Sequence, residues 1–293
     1  MFNTIEEYLE ALKKEMQGKD AALTQDALAD AREHLSMALE AAREKASNVS
    51  EAEALKTIIE EYGTPEETAS AYGEIERRTS SSLKQVKEPN SFWSGVFNVY
   101  IDPRTWGSLL FMFITFVTGI IYFTWVVTGV SLSIGLMILI IGVPIAILFL
   151  LSVQGLALLE GRLVEALLGE RMPRRPLFAQ PGLKWFERLR ALVTDKHTWL
   201  SMLYMLLQMP LGIVYFTLNT VLILTAVGFL LSPLRWVLLN NPNIRIQLDL
   251  IYLPDWVLYL LPIGGFILLT LTMHLVRVTG WLHGRYAKWM LVS

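Results

Sequence analysis

The order of hydrophobic and polar residues divides the chain into two unlike parts. Up to about residue 78, apolar residues such as Ile5, Tyr8 and Leu12 recur every three or four positions among charged ones, which predicts amphipathic helices. Beyond residue 100 the pattern changes to four long apolar stretches, at 107–129, 134–159, 199–224 and 256–280. Each stretch is long enough to cross a bilayer. We therefore expect an all-α membrane protein with an N-terminal helical bundle and four transmembrane helices.

Capping residues delimit the helices of the N-terminal part. In the segment Gly63-Thr64-Pro65-Glu66-Glu67, Gly63 suits a helix end, Thr64 an N-cap and Pro65 the first helical position. Glu67, three residues after Thr64, completes a capping box. We expect three long helices and one short one within residues 1–78, followed by a polar linker at 79–91.

Three motifs stand together in this part: a Tyr-Leu-x-x-Leu helix starting at Tyr8, an acidic second helix, and Tyr-Gly-Thr-Pro-Glu-Glu-Thr-Ala at 62–69. Together they resemble the bacterial HAAS signalling domain, in which a Gly-x-Pro-Glu-Glu segment joins the last two helices. The resemblance implies a cytoplasmic interaction module without catalytic activity.

The apolar part contains a motif that occurs twice. Asp102-Pro-Arg-Thr-Trp-Gly-Ser and Gly119-Ile-Ile-Tyr-Phe-Thr recur at the same spacing as Asp195-Lys-His-Thr-Trp-Leu-Ser and Gly212-Ile-Val-Tyr-Phe-Thr. The recurrence predicts two parallel two-span repeats, at 92–183 and 184–293, related by an axis along the membrane normal. The second repeat is longer by an insertion at about 225–256. Strict alternation of apolar and polar residues at 243–250 predicts a small β-hairpin there.

Charge predicts the orientation in the membrane. Residues 1–88 carry 19 of the 27 acidic and 11 of the 25 basic side chains, whereas the loop between the second and third apolar stretches is strongly basic. By the positive-inside rule that loop is cytoplasmic. Four spans then place both termini in the cytoplasm and the insertion outside it.

The repeated block Trp-x-Ser-(Leu/Met)-Leu, followed by Gly-Ile-(Ile/Val)-Tyr-Phe and, in the first copy, by Leu-Leu-Glu-Gly-Arg, covers about residues 92–291. It resembles the bacterial "putative sensor" membrane domain, which occurs upstream of histidine kinases and beside HAAS modules. The resemblance implies a signalling protein of the bacterial inner membrane. No kinase follows within the 293 residues, so we expect output through the helical bundle to a cytoplasmic protein partner, by analogy a transcription regulator.

Glu160 and Arg162 of the first copy correspond to His283 and Arg285 of the second. One interpretation is a coupling cluster that rearranges when the spans move. The other, which basic residues at a cytoplasmic boundary favour, is charge anchoring together with an ordinary ion pair. Within the spans, four polar side chains are expected to make interhelical hydrogen bonds: Gln154, Gln208, Asn219 and His274.

The insertion carries the charges expected on the outer side: Arg235, Arg245, Asp249 and Asp255. They make it a candidate surface for sensing a ligand or stress. The alternative is a purely structural hairpin on the bilayer surface.

The chemistry of the chain does not point to an enzyme. There is no cysteine, the four histidines are dispersed, and no nucleophile–base pair or phosphate loop is evident. We expect no catalytic residue, no metal, no cofactor and no direct binding to nucleic acid.

The expected function is a membrane sensor that relays a signal through its bundle. One alternative is a transporter or channel component, against which the apparent absence of a buried carboxylate in the spans counts. Another is a membrane scaffold that self-assembles into a homo-oligomer through the acidic bundle.

Overall fold

A computed structural model describes residues 2–45, 51–79, 92–138, 142–173, 193–234 and 255–292. Within these ranges the chain is helical, in agreement with the all-α prediction, and no strand occurs in them. The helices are α1 (Ile5–Glu15), α2 (Ala21–Lys45), α3 (Glu51–Tyr62), α4 (Pro65–Thr79), α5 (Phe92–Ile101), α6 (Pro103–Leu136), α7 (Gly142–Leu168), α8 (Lys196–Leu230) and α9 (Asp255–Leu291).

Helices α1 to α4 pack together around one apolar core. Tyr8 and Leu12 of α1 are fully buried against Leu23 and Leu35 of α2 and Leu55 of α3. The Tyr8 hydroxyl donates to the carbonyl of Gly63 at 2.9 Å, so the core also holds the turn between α3 and α4. Helix α4, at 15 residues, is longer than α1 and α3, so the prediction that the last helix is the short one is wrong.

The turn between α3 and α4 has the predicted capping geometry. Gly63 has a φ of +108°, which an L side chain rarely adopts. The Thr64 hydroxyl accepts from the amide of Glu67 at 3.3 Å, and the Glu67 carboxylate accepts from the amide of Thr64 at 2.9 Å. The hydrogen bond from the Thr64 amide to the carboxylate holds the pKa of the Glu67 carboxyl below its ordinary value.

Four helices, α6 to α9, are long and apolar enough to cross a membrane, which agrees with the predicted number of spans. Many of their large apolar side chains are exposed in the isolated chain, including Leu148, Val221 and Leu271. Apolar side chains on the outer faces of membrane-spanning helices contact the lipid chains of the bilayer. The chain is therefore a multi-pass membrane protein.

The boundaries of the first three predicted spans are wrong. Helix α6 runs to Leu136, through the break predicted at 130–133 between the first two apolar stretches. The Phe149 ring of α7 packs on Gly129 there, so closely that a Cβ atom would lie 2.1 Å from it. Helix α8 likewise continues to Leu230, six residues into the expected insertion.

Of the rest of the insertion, the structure describes residues 231–234 and 255–256. Asp255 begins α9. The predicted hairpin at 243–250, with Arg235, Arg245 and Asp249, lies outside the described residues.

Helices α6 and α8 cross in direct backbone contact at two glycines. A Cβ atom on Gly119 would lie 2.7 Å from the carbonyl oxygen of Gln208, and one on Gly212 would lie 2.6 Å from that of Thr115. Small residues permit such close crossings between membrane helices. This contact sets the positions of the polar side chains that follow on both helices.

Candidate functional site

A carboxylate is buried between the membrane helices. Glu160 of α7 is 0% exposed and lies eight residues before the end of its helix, about 12 Å along the axis. Its carboxylate accepts hydrogen bonds from the Tyr122 hydroxyl at 3.2 Å, the Tyr204 hydroxyl at 3.1 Å and the Gln208 amide nitrogen at 2.7 Å. Burial of a carboxylate is costly unless its oxygens are hydrogen-bonded, and these three donors come from α6 and α8.

A histidine is buried beside the carboxylate. His283 of α9 is 2% exposed and also lies eight residues before its helix ends. Its Nε2 is 3.0 Å from the Tyr204 hydroxyl and its Nδ1 is 3.2 Å from the Tyr215 hydroxyl. The Phe111 ring packs on the imidazole with centroids 4.9 Å apart. The Tyr204 hydroxyl therefore bridges Glu160 and His283.

The hydrogen bonds have one consistent direction when Glu160 is ionised and His283 is neutral. An ionised carboxylate can only accept hydrogen bonds, so the Tyr204 hydroxyl is the donor in its hydrogen bond to Glu160. The Tyr204 oxygen then accepts from Nε2–H of His283, and Nδ1 of His283 accepts from Tyr215. This assigns the neutral Nε2–H tautomer to His283. These hydrogen bonds form a chain from Glu160 through Tyr204 and His283 to Tyr215. A change of protonation at either end of this chain alters which atom donates in every bond along it.

Only half of the predicted coupling set comes together here. Glu160 and His283 share the network, but Arg162 pairs with Glu165 on the exposed surface at 3.2 Å, and Arg285 stacks over the Trp281 ring at 3.9 Å. Residues two apart on a helix point to nearly opposite sides, so an inward Glu160 forces Arg162 outward. Within the described residues Glu160 forms no ion pair, and the three side chains that donate to its carboxylate are neutral.

The expectation that no span carries a buried carboxylate is wrong. It rested on ending the second span at residue 159, whereas α7 continues to Leu168 and includes Glu160. The tyrosine partners were not identified from the sequence either. Tyr122 and Tyr215 occupy the same position of the repeated Gly-Ile-x-Tyr motif, so the recurrence itself was a usable signal.

The other polar residues predicted in the spans, Gln154, Asn219 and His274, make hydrogen bonds outside the Glu160–His283 network. Gln154 donates to the Thr198 hydroxyl of α8 at 3.2 Å, an interhelical bond of the predicted kind. The Asn219 amide nitrogen of α8 donates to the Met112 sulfur of α6 at 3.0 Å, also an interhelical bond of the predicted kind, and to the carbonyl of Tyr215 in its own helix. His274 lies 2.9 Å from the carbonyl of Thr270 in its own helix.

The N-terminal bundle docks on the end of the membrane helices nearest this network. Lys288 of α9 donates to the Asp20 carboxylate at 2.5 Å, and Arg171 lies 3.8 Å from the Asp26 carboxylate. Asp20 immediately precedes α2, and Asp26 lies in its second turn. Between the two ion pairs, Ala22 is buried in an apolar cluster with α9 and the segment after α7: Met172, Ala287, Met290 and Val292. We call this contact the docking interface.

The electrostatics of the docking interface favour an ionised Asp20. Burial raises the pKa of its carboxyl, but the hydrogen bond and charge of Lys288, with the amides of Ala22 and Leu23, outweigh burial. The pKa of Asp20 therefore lies below its ordinary value.

Comparison with known proteins gives one match. A family model described as "Putative sensor" matches residues 113–291, more than half of the chain and all four membrane helices at least in part. No curated protein and no solved structure matches the chain.

Proposed function

The chain belongs to the family described as "Putative sensor", and from this membership and the docking interface we propose that it relays a signal from the bacterial inner membrane to a cytoplasmic protein partner. The four-span unit would sense the signal, and the N-terminal bundle would deliver it. The observation that carries the proposal is the Asp20–Lys288 contact, which joins the bundle to the helix that bears His283. Both termini are placed in the cytoplasm by the positive-inside rule.

A continuous path of packed residues supports the relay. Tyr204, which bridges Glu160 and His283, belongs to the same apolar cluster as Ala287 and Ala22. His283 and Lys288 are five residues apart on α9, about 7.5 Å along its axis. A shift or rotation of α9 would therefore act on the polar network and on the docked bundle together.

The reciprocal glycine contact supports the interpretation of residues 92–183 and 184–293 as two parallel repeats. Gly119 and Gly212 are equivalent in the repeated motif, and so are Thr115 and Gln208, the residues they meet. The contact is therefore symmetric between the repeats: Gly119 of the first repeat meets Gln208 of the second, and Gly212 of the second repeat meets Thr115 of the first. In the same way Tyr122 bonds Glu160, and the equivalent Tyr215 bonds His283, at a site where the repeats differ chemically.

The bundle offers a surface suited to a protein partner. A cavity of about 340 Å³ is lined by acidic, aromatic and apolar side chains, among them Glu33, His34, Met37 and Tyr62. Met37 is 49% exposed, and Ile75 of α4 is also exposed. The acidic charge of residues 1–88 favours a basic protein surface over nucleic acid. The bundle acts as a binding module in this proposal, without catalysis or cofactor.

A crosslinking pull-down from the native membrane tests the proposal. The full chain, a variant lacking residues 1–78 and a Lys288→Gln variant are compared. We expect a cytosolic protein to be captured by the full chain and lost without the bundle, and its yield to change in Lys288→Gln because docking is weakened. Capture of only the chain itself would instead favour the homo-oligomeric scaffold, and an unchanged yield in Lys288→Gln would contradict a role for docking.

The buried Glu160 supports a second candidate, a proton-coupled transporter. Ionisable residues inside a membrane bundle commonly belong to proton relays, and the line from Tyr215 through His283 and Tyr204 to Glu160 joins groups that exchange protons. Proton flux into liposomes that carry the wild-type chain, absent in Glu160→Gln, would favour transport over signalling. Equal flux in the two proteins would remove this candidate.

A further inference from the structure

A second cavity lies at the docked end of the membrane helices, and none of its lining residues belongs to the Glu160–His283 network. It measures about 330 Å³ and is bounded by the start of α6, the residues after α7 and the last third of α9. Its charged lining residues are Arg104, Glu170 and Arg277. A cavity of this size is large enough to take a small polar group.

One of the cavity's cations is already paired, and two further charges are not. Arg277 lies 3.3 Å from the Asp102 carboxylate, whose side chain is completely buried at the N-terminus of α6. The Arg104 and Glu170 side chains have no polar partner among the described residues, and they form no ion pair with each other although both line the cavity. The cavity walls therefore carry positive charge from the two arginines and negative charge from the Glu170 carboxylate.

The cavity is next to a surface that faces lipid. Val278 and Trp281 line it and are 53% and 49% exposed on a membrane-spanning helix. Trp106, also exposed, lies in the first turn of α6 at the same end. Exposed tryptophans at the ends of spans are typical of the headgroup layer of a bilayer. A phospholipid headgroup can therefore enter the cavity while its acyl chains stay against α9.

We propose that this cavity binds the headgroup of a phospholipid that carries both a phosphate and a primary ammonium, as phosphatidylethanolamine does. The phosphate interacts with Arg104 and the outer part of Arg277, since guanidinium groups bind phosphate through paired N–H donors. The ammonium donates to the Glu170 carboxylate. Glu170 disfavours a purely anionic headgroup, and a quaternary ammonium has no N–H to donate to it.

Occupancy of the cavity has a direct route to the bundle. Gly169, with a φ of +74°, and Glu170 line the cavity, while the next two residues, Arg171 and Met172, belong to the docking interface. A headgroup that holds Glu170 in place would hold this short segment against α2. Only this coupling rests on the proposed function; binding of the lipid does not.

The test is native mass spectrometry of the full-length protein after delipidation. Phosphatidylethanolamine, phosphatidylglycerol and phosphatidylcholine with the same acyl chains are added in turn, and soluble phosphoethanolamine is added in a separate arm. We expect the wild type to retain phosphatidylethanolamine best. Arg104→Gln should weaken that binding about tenfold, the value of one charge-assisted hydrogen bond, while Glu170→Gln should abolish the preference over phosphatidylglycerol.

Arg162→Gln is the matched control, because Arg162 is an exposed arginine on α7 outside the cavity, and it should bind lipid as the wild type does. Equal retention of the three lipids by the wild type, or binding unchanged in both cavity variants, would overturn the proposal. Binding of phosphoethanolamine without retention of any lipid would also overturn it and assign the cavity to a soluble phosphate ester. Since no cytoplasmic partner is involved, failure here is distinguishable from failure of the relay.

Discussion

The Asp20 carboxylate and the Lys288 ammonium are 2.5 Å apart although 268 residues separate them in the chain. This contact joins the residue just before α2 to the last turn of α9, and a second ion pair, Asp26–Arg171, lies near the start of α2. The bundle therefore rests on the membrane helices through ionic contacts around a small apolar centre. Such a contact can be broken without unfolding either part, which is what a relay requires.

Docking should depend on pH only in the acidic range. The pKa of Asp20 is lowered in the docked state. The contribution of the Asp20–Lys288 pair to the free energy of docking is therefore complete above the ordinary carboxyl pKa of about 3.9, and it is lost as the pH falls through the lowered pKa. Distances between spin labels on the bundle and on α8 should be constant from pH 8 to pH 5 and lengthen below about pH 4. Asp20→Asn should give long distances already at pH 7. If it keeps the short distance, the pair does not hold the bundle.

Removal of the Tyr204 hydroxyl should destabilise the membrane helices. Tyr204→Phe leaves Nε2 of His283 without its partner and takes one donor from Glu160. A buried polar group left without a partner costs about 1–3 kcal/mol, so the midpoint of thermal unfolding in detergent should fall. Tyr259→Phe, at an exposed tyrosine of α9, is the control and should be neutral. Equal midpoints for the two variants would mean that the bridge contributes nothing.

The two crossing glycines should be equally intolerant of alanine. At Gly119 and Gly212 the new methyl would lie within 2.7 Å of a backbone carbonyl on the facing helix, so α6 and α8 must move apart. Overpacking of this kind costs about 1–3 kcal/mol. Gly155→Ala on α7, where nothing lies within 4 Å, should be neutral or stabilising. A large effect at only one of the two crossing positions would contradict the reciprocal contact.

Loss of the α4 cap should weaken the bundle alone. Thr64→Ala removes the hydroxyl that accepts from the Glu67 amide and should cost about 1 kcal/mol. Hydrogen exchange of the α4 amides should accelerate while that of α6 to α9 is unchanged. Thr57→Ala, at an exposed threonine inside α3, serves as the control. Unchanged exchange in α4 would show that the cap does not limit its opening.

Much of the fold could be predicted from periodicity and capping. The apolar stretches predicted four membrane helices, and the Thr64–Glu67 box has the expected hydrogen bonds. The break predicted at 130–133 is absent because small uncharged residues are compatible with a helix, and Phe149 of the next helix packs on Gly129 beside it. Composition alone does not reveal that neighbour.

The candidate site was predicted only in part. The repeat related Glu160 to His283, and both side chains contact Tyr204 in the structure. Placing Glu160 just outside the second predicted span, which ended at residue 159, hid its burial between the helices. The docking interface could not be predicted at all. Asp20 and Lys288 lie in parts of the chain with different periodicities, and no motif links them.

The central claim, that the buried network and the docked bundle are coupled, is tested most directly by one distance. Because the chain has no cysteine, Met37→Cys on the bundle and Val221→Cys on α8 carry the only two spin labels. Glu160→Gln is introduced into this background, with Glu165→Gln, which removes a partly exposed carboxylate five residues away on α7, as control. The account predicts one narrow distance distribution for the background and for Glu165→Gln, and a longer or broader one for Glu160→Gln. Identical distributions in all three proteins would contradict it.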